Sequence, residues 1–328
     1  MLLAFVIDAV IGDVPNAVHP LRWMGNLLDK IDKKITRKSR RSTIAKGFLS
    51  YMLVLFIFAF VSLFILALIR TQIGLIGSVN MGELIWIVVC AFMFKLTFAV
   101  YSFRRHCRPI QKDLRNDDLV NAASKVQMIV SRKTEGMDAE HISSCCAETI
   151  SENYADSVCS PAFYYSIFGI FGAWMFRCVN LMDAMWGYLN EKYGDLGYFP
   201  AKFDDILGYI TSRISIIFIA AASIFVGGSP RNAISVAMSE HGKTPSPNSG
   251  WPMTAAAGAL GFRMEKEGVY VMGKGGMPTV QDISRCYKLV EMAALLFFIL
   301  VAIPIYMTVG IHIQVFMEDG LMRLFGLI

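Results

Sequence analysis

The most regular feature of the chain is a set of long stretches that carry almost no charge. Residues 47–69 contain no charged side chain, and a helix needs about 20 apolar residues to cross a membrane. Residues 84–103, interrupted only by Lys95, predict the return span, with a short external loop over 71–83. Residues 289–312 predict a third span near the C-terminus.

Two further apolar stretches, 158–176 and 214–228, are harder to place. The basic segment 30–46 and the arginines that follow residue 103 predict cytoplasmic loops by the positive-inside rule. If both apolar stretches crossed the membrane, residues 177–213 would lie on the opposite side from the polar segment before them. We therefore expect these stretches to be buried, spanning or re-entrant, since irregular backbone at membrane depth must be enclosed by protein or line a cavity.

Composition agrees with a membrane protein. Of 328 residues, 55% are hydrophobic and 17% are charged, against about 25% charged in soluble domains. The expected fold is an all-α polytopic integral membrane helical bundle with re-entrant or buried helices and cytoplasmic helical and loop segments, forming one catalytic domain over 1–328. The net charge of +5 is clustered and indicates topology rather than nucleic-acid binding. The seven cysteines form no CxxC pair, so they predict neither a zinc site nor a disulfide framework.

An acidic stripe is predicted on the helix that follows Asp138, a suitable N-cap residue. Side chains three and four positions apart share one helix face; the members here are His141, Cys145, Glu148, Glu152 and Asp156. Like charges at this spacing destabilise a helix by about 0.2–0.5 kcal/mol per pair. The stripe therefore indicates a cationic partner, although a solvated helix face is the alternative.

Three groups of polar residues adjoin the apolar stretches. The first contains Asp8, Asp13, His19 and Arg22. The second contains Arg132, Glu148, Glu152, Asn153 and Asp156. The third contains Arg177, Asn180, Asp183, Lys192, Lys202, Asp204, Asp205 and Arg213. Mg²⁺ favours a few carboxylates together with substrate phosphates, and Arg and Lys bind phosphate oxygens. The mixture favours Mg²⁺-dependent phosphoryl chemistry on an anionic substrate, without identifying that substrate; structural ion pairs at helix ends are the alternative.

Four segments resemble, in order, the adenosylcobinamide-phosphate synthase family (CobD/CbiB type) of cobalamin biosynthesis. They are DAVIGDVPNAVHPLRWMG (8–25), MIVSRKTEGMDAEHISSCCAETISENYADSVCSPAFYY (128–165), RCVNLMDAMWGYLNEKYGDLGYFPAKFDDILGYITSRIS (177–215) and SPNSGWPMTAAAGALGFRMEKEGVYVMGK (246–274). The family's Gly-Asp-Pro is here Gly12-Asp13-Val14, with Pro15 one position late, and Leu21 replaces the usual Val. Asp13 and His19 keep their places.

The resemblance implies an ATP-dependent amide ligase of the cytoplasmic membrane, with its active site facing the cytoplasm. It would join adenosylcobyric acid to 1-aminopropan-2-ol or its O-phosphate, through an acyl phosphate, with ATP and Mg²⁺ as cofactors. The expected magnesium ligands are Glu148, Glu152, Asp156, Asp183, Asp204 and Asp205. The expected phosphate-neutralising and positioning residues are Arg132, Arg177, Asn180, Lys192, Lys202, Arg213, Asn153 and Asn248. Asp13 or His19 would orient the amine or take its proton, with Arg22 beside them.

A rival interpretation is a corrinoid-binding or transporting membrane protein without catalysis, to which intramembrane polar residues are also suited. No inverted repeat is visible in the sequence, and the charged motifs flank the apolar stretches rather than interrupting them. A sensory protein that kept the fold without the chemistry is a third interpretation. The expected partners are the corrinoid, the amine and membrane lipid, without nucleic acid; the sequence leaves a homo-oligomer open.

Overall fold

The computed structural model describes residues 1–73, 75–76 and 79–328, and helices dominate it. The first helices are α1 (Leu2–Val10), α2 (Pro20–Lys34), α3 (Arg40–Leu55), α4 (Val61–Gln72), α5 (Met81–Lys95), α6 (Ser102–Arg115), α7 (Leu119–Val126) and α8 (Ala139–Tyr154). The others are α9 (Ser160–Trp186), α10 (Tyr198–Ser223), α11 (Pro230–Glu240), α12 (Gly250–Leu260), α13 (Val280–Phe297), α14 (Ile303–Ile305) and α15 (Ile311–Leu324).

Two short hairpins and several tight or wide helical turns complete the described chain. The strands are β1 (Leu75–Ile76), β2 (Val79–Asn80), β3 (Arg263–Lys266) and β4 (Tyr270–Gly273). The 3₁₀ turns are Asn16–Val18, Ile224–Val226 and His241–Lys243. The π turns are Phe56–Phe60, Ala155–Cys159, Phe298–Ala302 and Tyr306–Gly310. The external loop predicted over 71–83 includes residues 74, 77 and 78, which lie outside the described residues.

Within the described residues, four helical stretches are long and apolar enough to cross a membrane. They are Arg40–Gln72, Ala139–Trp186, Tyr198–Val226 and Val280–Leu324. The first and last contain the predicted spans 47–69 and 289–312, and the second and third contain the stretches 158–176 and 214–228. The prediction of an all-α polytopic membrane protein is therefore confirmed.

The predicted span 84–103 is wrong in its extent. Helix α5 ends at Lys95 after 15 residues, and Thr97 Oγ1 donates to the carbonyl of Phe94 at 2.7 Å in the turn that follows. Lys95 is only 1% exposed, and its ammonium lies 3.0 Å from Asp8 and 2.9 Å from Asp13. The last residue of α5 is thus a buried lysine whose charge is paired with two carboxylates, as a buried charge must be.

The long stretch Ala139–Trp186 is not one straight rod, because the chain reverses at Gly169. That residue has φ 60° and ψ −148°, a region that is essentially restricted to glycine. Phe176 stacks on Tyr164 with ring centroids 5.7 Å apart, although a straight helix would separate residues twelve apart by about 18 Å. The backbone N–H of Ile170 begins the returning helix and is bonded to Gln314 Oε1 at 3.2 Å. This helical hairpin has the geometry that a re-entrant segment requires.

The described residues form two compact units, each assembled from separate parts of the chain. The first unit comprises residues 1–98, 160–207 and 298–328, and the second comprises 99–159 and 208–297. The single catalytic domain expected over 1–328 stays a prediction. In the second unit, α8 lies against α12, α13 and strand β3, so one face of α8 is covered by the β3–β4 hairpin.

Candidate functional site

Glu148, the first carboxylate of the stripe, lies in a nearly buried cluster in the second unit. Its Oε2 accepts hydrogen bonds from Arg132 Nη2 and Tyr270 OH, both at 2.6 Å. Its Oε1 accepts one from Ser144 Oγ at 2.8 Å. Burial alone would lower the pKa of Arg132, but the charge and hydrogen bond of Glu148 raise it above its ordinary value. Three hydrogen bonds therefore hold Glu148 as a structural anchor.

The β3–β4 hairpin supplies groups that the sequence did not predict for this site. The N–H of Glu265 donates to Ser144 Oγ at 2.9 Å, which fixes β3 against α8. Tyr270 stands opposite Lys266 in the strand pair, and the loop between them contains Gly268 at φ 69°. Short polar and apolar runs around a glycine are a hairpin signal, and RMEKEGVYVMG carries it.

Glu152, one helical turn after Glu148, has a different environment. Its side chain is half-buried, and among the described residues it makes no hydrogen bond or ion pair. It interacts electrostatically with Glu148, with Lys266 and with Arg132. Glu148 is already bonded to Arg132, so Glu152 is the carboxylate of the stripe that can accept a cation or a donor group.

An open cleft of about 510 Å³ lies beside this cluster. Arg132 and Lys266 line it, together with Cys145 and His141 from the outer part of the stripe. The cleft falls within the usual size of small-ligand sites, about 300–1,000 Å³. Its lining is of mixed charge, since Lys133 and the acidic residues Glu135, Asp138, Glu265 and Glu267 also contribute to it.

The stripe does not continue as a three-carboxylate set. Asp138 caps α8 as predicted, accepting from the N–H of His141 at 2.8 Å. However, Asp156 falls in the π turn Ala155–Cys159, and an i→i+5 turn changes the helical phase. In the described part of the chain, no three His, Cys, Asp or Glu side chains are grouped closely enough to hold a metal ion. The magnesium ligands Glu148, Glu152 and Asp156, expected to act together with substrate phosphates, stay a prediction.

Asn153 faces a separate small cavity of about 260 Å³ that is also lined by His106, Thr149 and Ser157. Its Nδ2 donates to the carbonyl of Thr149 at 2.9 Å, and its Oδ1 accepts from Ser157 Oγ at 3.1 Å. Both ends of the amide are used within the helix. The structure thus gives Asn153 local structural bonds.

In the first unit, helices α9 and α10 bring together most of the third predicted group. Arg177 Nη1 donates to Asn180 Oδ1 at 2.8 Å, and Asn180 Nδ2 donates to Asp204 Oδ1 at 3.2 Å. Asp183 and Asp205 lie close enough to Asp204 for their charges to interact. This hydrogen bond joins α9 to α10 across 24 positions of the sequence.

Asp183 is the most available carboxylate of this second acidic cluster. It is half-buried and makes no ion pair or side-chain hydrogen bond among the described residues. Gly187 makes room for it, because a Cβ at Gly187 would lie 2.1 Å from Asp183 Oδ1. Asp183 and Asp204 together offer hard oxygen ligands of the kind that Mg²⁺ uses alongside phosphate oxygens. These residues fit the expected ion.

The N-terminal group lies in the same unit. Besides its bond to Asp13, Lys95 interacts electrostatically with His19, as does Arg177. Burial lowers the pKa of His19; the charge of Asp13 opposes this effect, and Lys95 and Arg177 add to it. His19 caps α2, since its Nδ1 accepts the N–H of Leu21 at 3.2 Å. The neutral ring then carries its proton on Nε2, so His19 is placed to donate a hydrogen bond rather than to take a proton.

The remaining predicted residues of the first unit are more exposed. Lys192 donates to Tyr193 OH at 2.7 Å and pairs with Asp32 at 2.8 Å, which gives it a structural partner that the sequence did not reveal. Lys202 reaches Asp205 at 3.7 Å. Arg22 is exposed on the first turns of α2.

Arg213 and Asn248 meet in the second unit. Arg213 Nη1 donates to Asn248 Oδ1 at 3.2 Å, and its guanidinium lies 3.4 Å from the ring centroid of Tyr209 and 5.0 Å from that of Trp251. His241 stacks on Trp251 at 3.6 Å. The pairing of Arg213 with Asn248 joins two of the four sequence segments.

Comparison with known proteins identifies the lineage. The profile of the family described as CobD/Cbib protein matches residues 1–296. A probable cobalamin biosynthesis protein CobD of Methanothrix thermoacetophila is 35% identical over 305 residues, covering 90% of this chain and 93% of that protein. The cobalamin biosynthesis protein CobD of Dehalococcoides mccartyi is 34% identical over 285 residues, covering 87% and 89%. No solved structure matches. The chain therefore belongs to the CobD/CbiB family of cobalamin biosynthesis proteins.

Proposed function

We propose that this protein is an ATP-dependent ligase that forms the amide bond between adenosylcobyric acid and 1-aminopropan-2-ol or its O-phosphate. Membership of the family supports a step of cobalamin biosynthesis. The ligase assignment rests mainly on the environment of Glu152. Its carboxylate is half-buried, makes no hydrogen bond or ion pair among the described residues, and interacts electrostatically with the cations Arg132 and Lys266. Such a site suits a phosphate group bridged to protein by Mg²⁺.

The chemistry requires activation because a carboxylate is a poor acyl donor. Phosphoryl transfer from ATP to the propionate oxygen gives an acyl phosphate and releases ADP. The amine then attacks the carbonyl carbon, the C–O bond to phosphate breaks, and the amine loses a proton. Bound Mg²⁺ would neutralise phosphate charge; Glu152 is the residue proposed to hold it in the second unit, and Asp183 with Asp204 form a separate candidate pair within the first unit.

The protein's own residues then have separable roles. Arg132 and Lys266 attract phosphate oxygens, and Arg177 does so in the first unit, where Asn180 orients it. Glu148 accepts a hydrogen bond from Arg132 and so fixes the orientation of its guanidinium, and Tyr270 in turn holds Glu148 in place. Glu148 and Tyr270 are therefore positioning residues. His19 donates from Nε2 to a substrate oxygen. Asp13, bonded to Lys95, is the group proposed to attract the ammonium form of the amine.

The test uses purified full-length protein with adenosylcobyric acid, Mg-ATP and each amine in turn. We expect Glu152→Gln to lower the rate of amide formation by about 100-fold or more, as for the loss of a group that stabilises transition-state charge. Glu140→Gln is the matched control, since Glu140 is an exposed carboxylate of the same helix. Lys192→Ala tests the catalytic role predicted for that lysine.

Normal turnover by Glu152→Gln would remove the basis of the proposed site. Corrinoid binding without substrate-dependent ATP consumption by the wild-type protein would instead favour a binding or transport protein. Product formed with only one of the two amines identifies the acceptor.

A further inference from the structure

A second polar cavity, of about 390 Å³, lies in the second unit between the last turns of α6 and the first turns of α13. Its lining includes Arg108, Lys112 and Arg115, which project from α6 at intervals of four and three residues. Side chains at these intervals lie on one helix face. No carboxylate lines the cavity, so its charged lining consists of three exposed cations.

The three cations lack the partners that would explain them. Among the described residues, Lys112 and Arg115 make no ion pair. Arg108 interacts electrostatically with Glu291, but Glu291 is hydrogen-bonded to Arg104 and does not line the cavity. Asp113, the acid within α6, is bonded instead to Lys125. Like charges four residues apart destabilise a helix by a few tenths of a kcal/mol, about 0.2–0.5.

The cavity also contains the hydroxyl of Ser284, which two neighbouring side chains hold in place. Ser284 Oγ accepts from Gln111 Nε2 at 2.7 Å and from Tyr287 OH at 3.1 Å. A serine hydroxyl has two acceptor lone pairs and one proton to donate. Gln111 uses one lone pair, and when Tyr287 donates to the other, the Ser284 proton is available to a ligand in the cavity. Gln111 is 3% exposed and Tyr287 5% exposed, so the packed core holds this hydroxyl in place.

Two simpler explanations cover only part of this arrangement. Cations in the last turn of a helix interact favourably with its dipole, by about 0.3–1 kcal/mol each, and basic residues near apolar helices set topology. Neither requires that three cations and an oriented hydroxyl donor surround one cavity. An anion with several acceptor oxygens satisfies all four groups together.

We propose that this cavity is a binding site for the phosphate group of a phosphomonoester. A carboxylate carries one charge and two acceptor oxygens, whereas a phosphate monoester carries nearly two charges and three strong acceptor oxygens. Arg108 and Arg115 supply planar forks of donors and Lys112 a point charge, the groups that bind phosphate most strongly. The same phosphate chemistry is presented by a soluble phosphate ester and by a phosphatidic acid headgroup at the membrane surface. The site is separate from the proposed ligase centre and does not depend on that activity.

The test measures two probes with the full-length protein. Inorganic phosphate is titrated against protein in uncharged detergent and followed by ³¹P line broadening. Phosphatidic acid is supplied in phosphatidylcholine nanodiscs, and lipid retention is counted by native mass spectrometry. The variant is Lys112→Gln with Arg115→Gln, both exposed. The control, Lys38→Gln with Arg41→Gln, removes the same two charges from exposed positions in the first unit.

We expect the double variant to weaken binding of at least one probe by about tenfold or more, as for the loss of charge-assisted hydrogen bonds, while the control binds as the wild type does. If the double variant loses binding in the phosphate titration, the ligand is a soluble phosphate ester. If it loses only the retention of phosphatidic acid in nanodiscs, the ligand is the lipid headgroup. Ser284→Ala, which keeps all charges, should weaken binding of the same probe. If the double variant does not fold, unchanged binding by Ser284→Ala overturns the proposal. Absence of saturable binding, or equal loss in the control, overturns the proposal.

Discussion

At the scale of single residues, His19 shows how one side chain can serve both the fold and the chemistry. Its Nδ1 is used as the N-cap of α2, so the ring presents only an Nε2 donor. The interpretation of His19 as a general base is therefore less favourable than its role as a hydrogen-bond donor. The two functions of the ring can be separated by substitution, because asparagine also caps helices well.

We predict that His19→Asn keeps the stability of the wild type but lowers amide formation by about 100-fold, the size seen when a donor to developing charge is removed. His19→Ala should lose activity equally and also lose about 1 kcal/mol of stability with the cap. Thermal unfolding in detergent and the ligase assay measure the two effects. Full turnover by His19→Asn would reduce the residue to a cap.

A second residue-scale prediction concerns Asp32, which joins α2 to the 188–197 segment. Burial would raise the pKa of Asp32, but hydrogen bonds from Lys192 and Arg37 outweigh this and lower it below its ordinary value of 3.8. A carboxylate with a depressed pKa in the folded state stabilises that state above pH 3.8, and the contribution disappears as the pH falls through the lowered pKa.

Asp32→Asn should therefore lower the unfolding temperature at pH 7, and the difference from the wild type should narrow steadily once the pH falls below about 3.8. Asp29→Asn, an exposed neighbour on the same helix, is the control and should show little difference at either pH. If the difference in unfolding temperature between the wild type and Asp32→Asn did not change with pH, the stabilisation could not be assigned to this ion pair.

At the scale of elements, the sequence predicted helix type and apolar faces well, because those depend on local periodicity. The N-cap Asp138 and the apolar stretch 47–69 are examples. Prediction from the sequence failed where tertiary contacts determine the local structure. The π turn at 155–159 interrupts the regular helix at Asp156, and the two carboxylates that pair with Lys95, the last residue of α5, lie more than eighty residues away from it in the sequence. The β3–β4 hairpin had a local signal, but its contact with Ser144 did not.

The hairpin at Gly169 is the element whose geometry depends most on one residue. A Cβ at Gly169 would lie 2.0 Å from Gln314 Oε1, the atom that accepts from Ile170 N–H. We predict that Gly169→Ala destabilises the protein by about 3 kcal/mol, from backbone strain and overpacking together. Thermal unfolding in detergent provides the measurement.

Gly227 is the matched control for that substitution. It also has a positive φ, 68°, but an added Cβ meets nothing within 4 Å. Gly227→Ala should therefore cost only the left-handed backbone strain, about 1 kcal/mol. Equal losses at both glycines would show that contact with Gln314 contributes nothing to the hairpin.

At the scale of the whole molecule, contacts within the first unit show which predicted loop lies beside residues 188–197. Arg37 Nε donates to the carbonyl of Lys192 at 3.1 Å, and Arg40 lies 3.6 Å from Asp195. A Cβ on Gly47 would lie 2.2 Å from the carbonyl of Leu196, so the backbones are in close contact. The 188–197 segment thus lies beside the basic segment 30–46, and the reversal at Gly169 lets the chain return to that side.

This arrangement predicts the result of cysteine labelling. All seven native cysteines are buried and free, so a membrane-impermeant maleimide should leave the folded wild-type protein unlabelled. Leu189→Cys, at a position 99% exposed, and Lys38→Cys should be labelled from one side of the membrane. Gln72→Cys should be labelled from the other, because Arg40–Gln72 is a 33-residue helix, long enough to cross the membrane.

Sealed spheroplasts and lysed membranes distinguish the two sides. Basic residues favour the cytoplasm, so Leu189→Cys and Lys38→Cys should react only after lysis, whereas Gln72→Cys should react in intact spheroplasts. Reaction of Leu189→Cys together with Gln72→Cys would mean that 158–176 crosses the membrane fully. In that case the carboxylates Asp183 and Asp204, which lie shortly before and after the labelled segment, would face away from the cytoplasm, which would contradict the proposed role of these two residues in binding Mg-ATP.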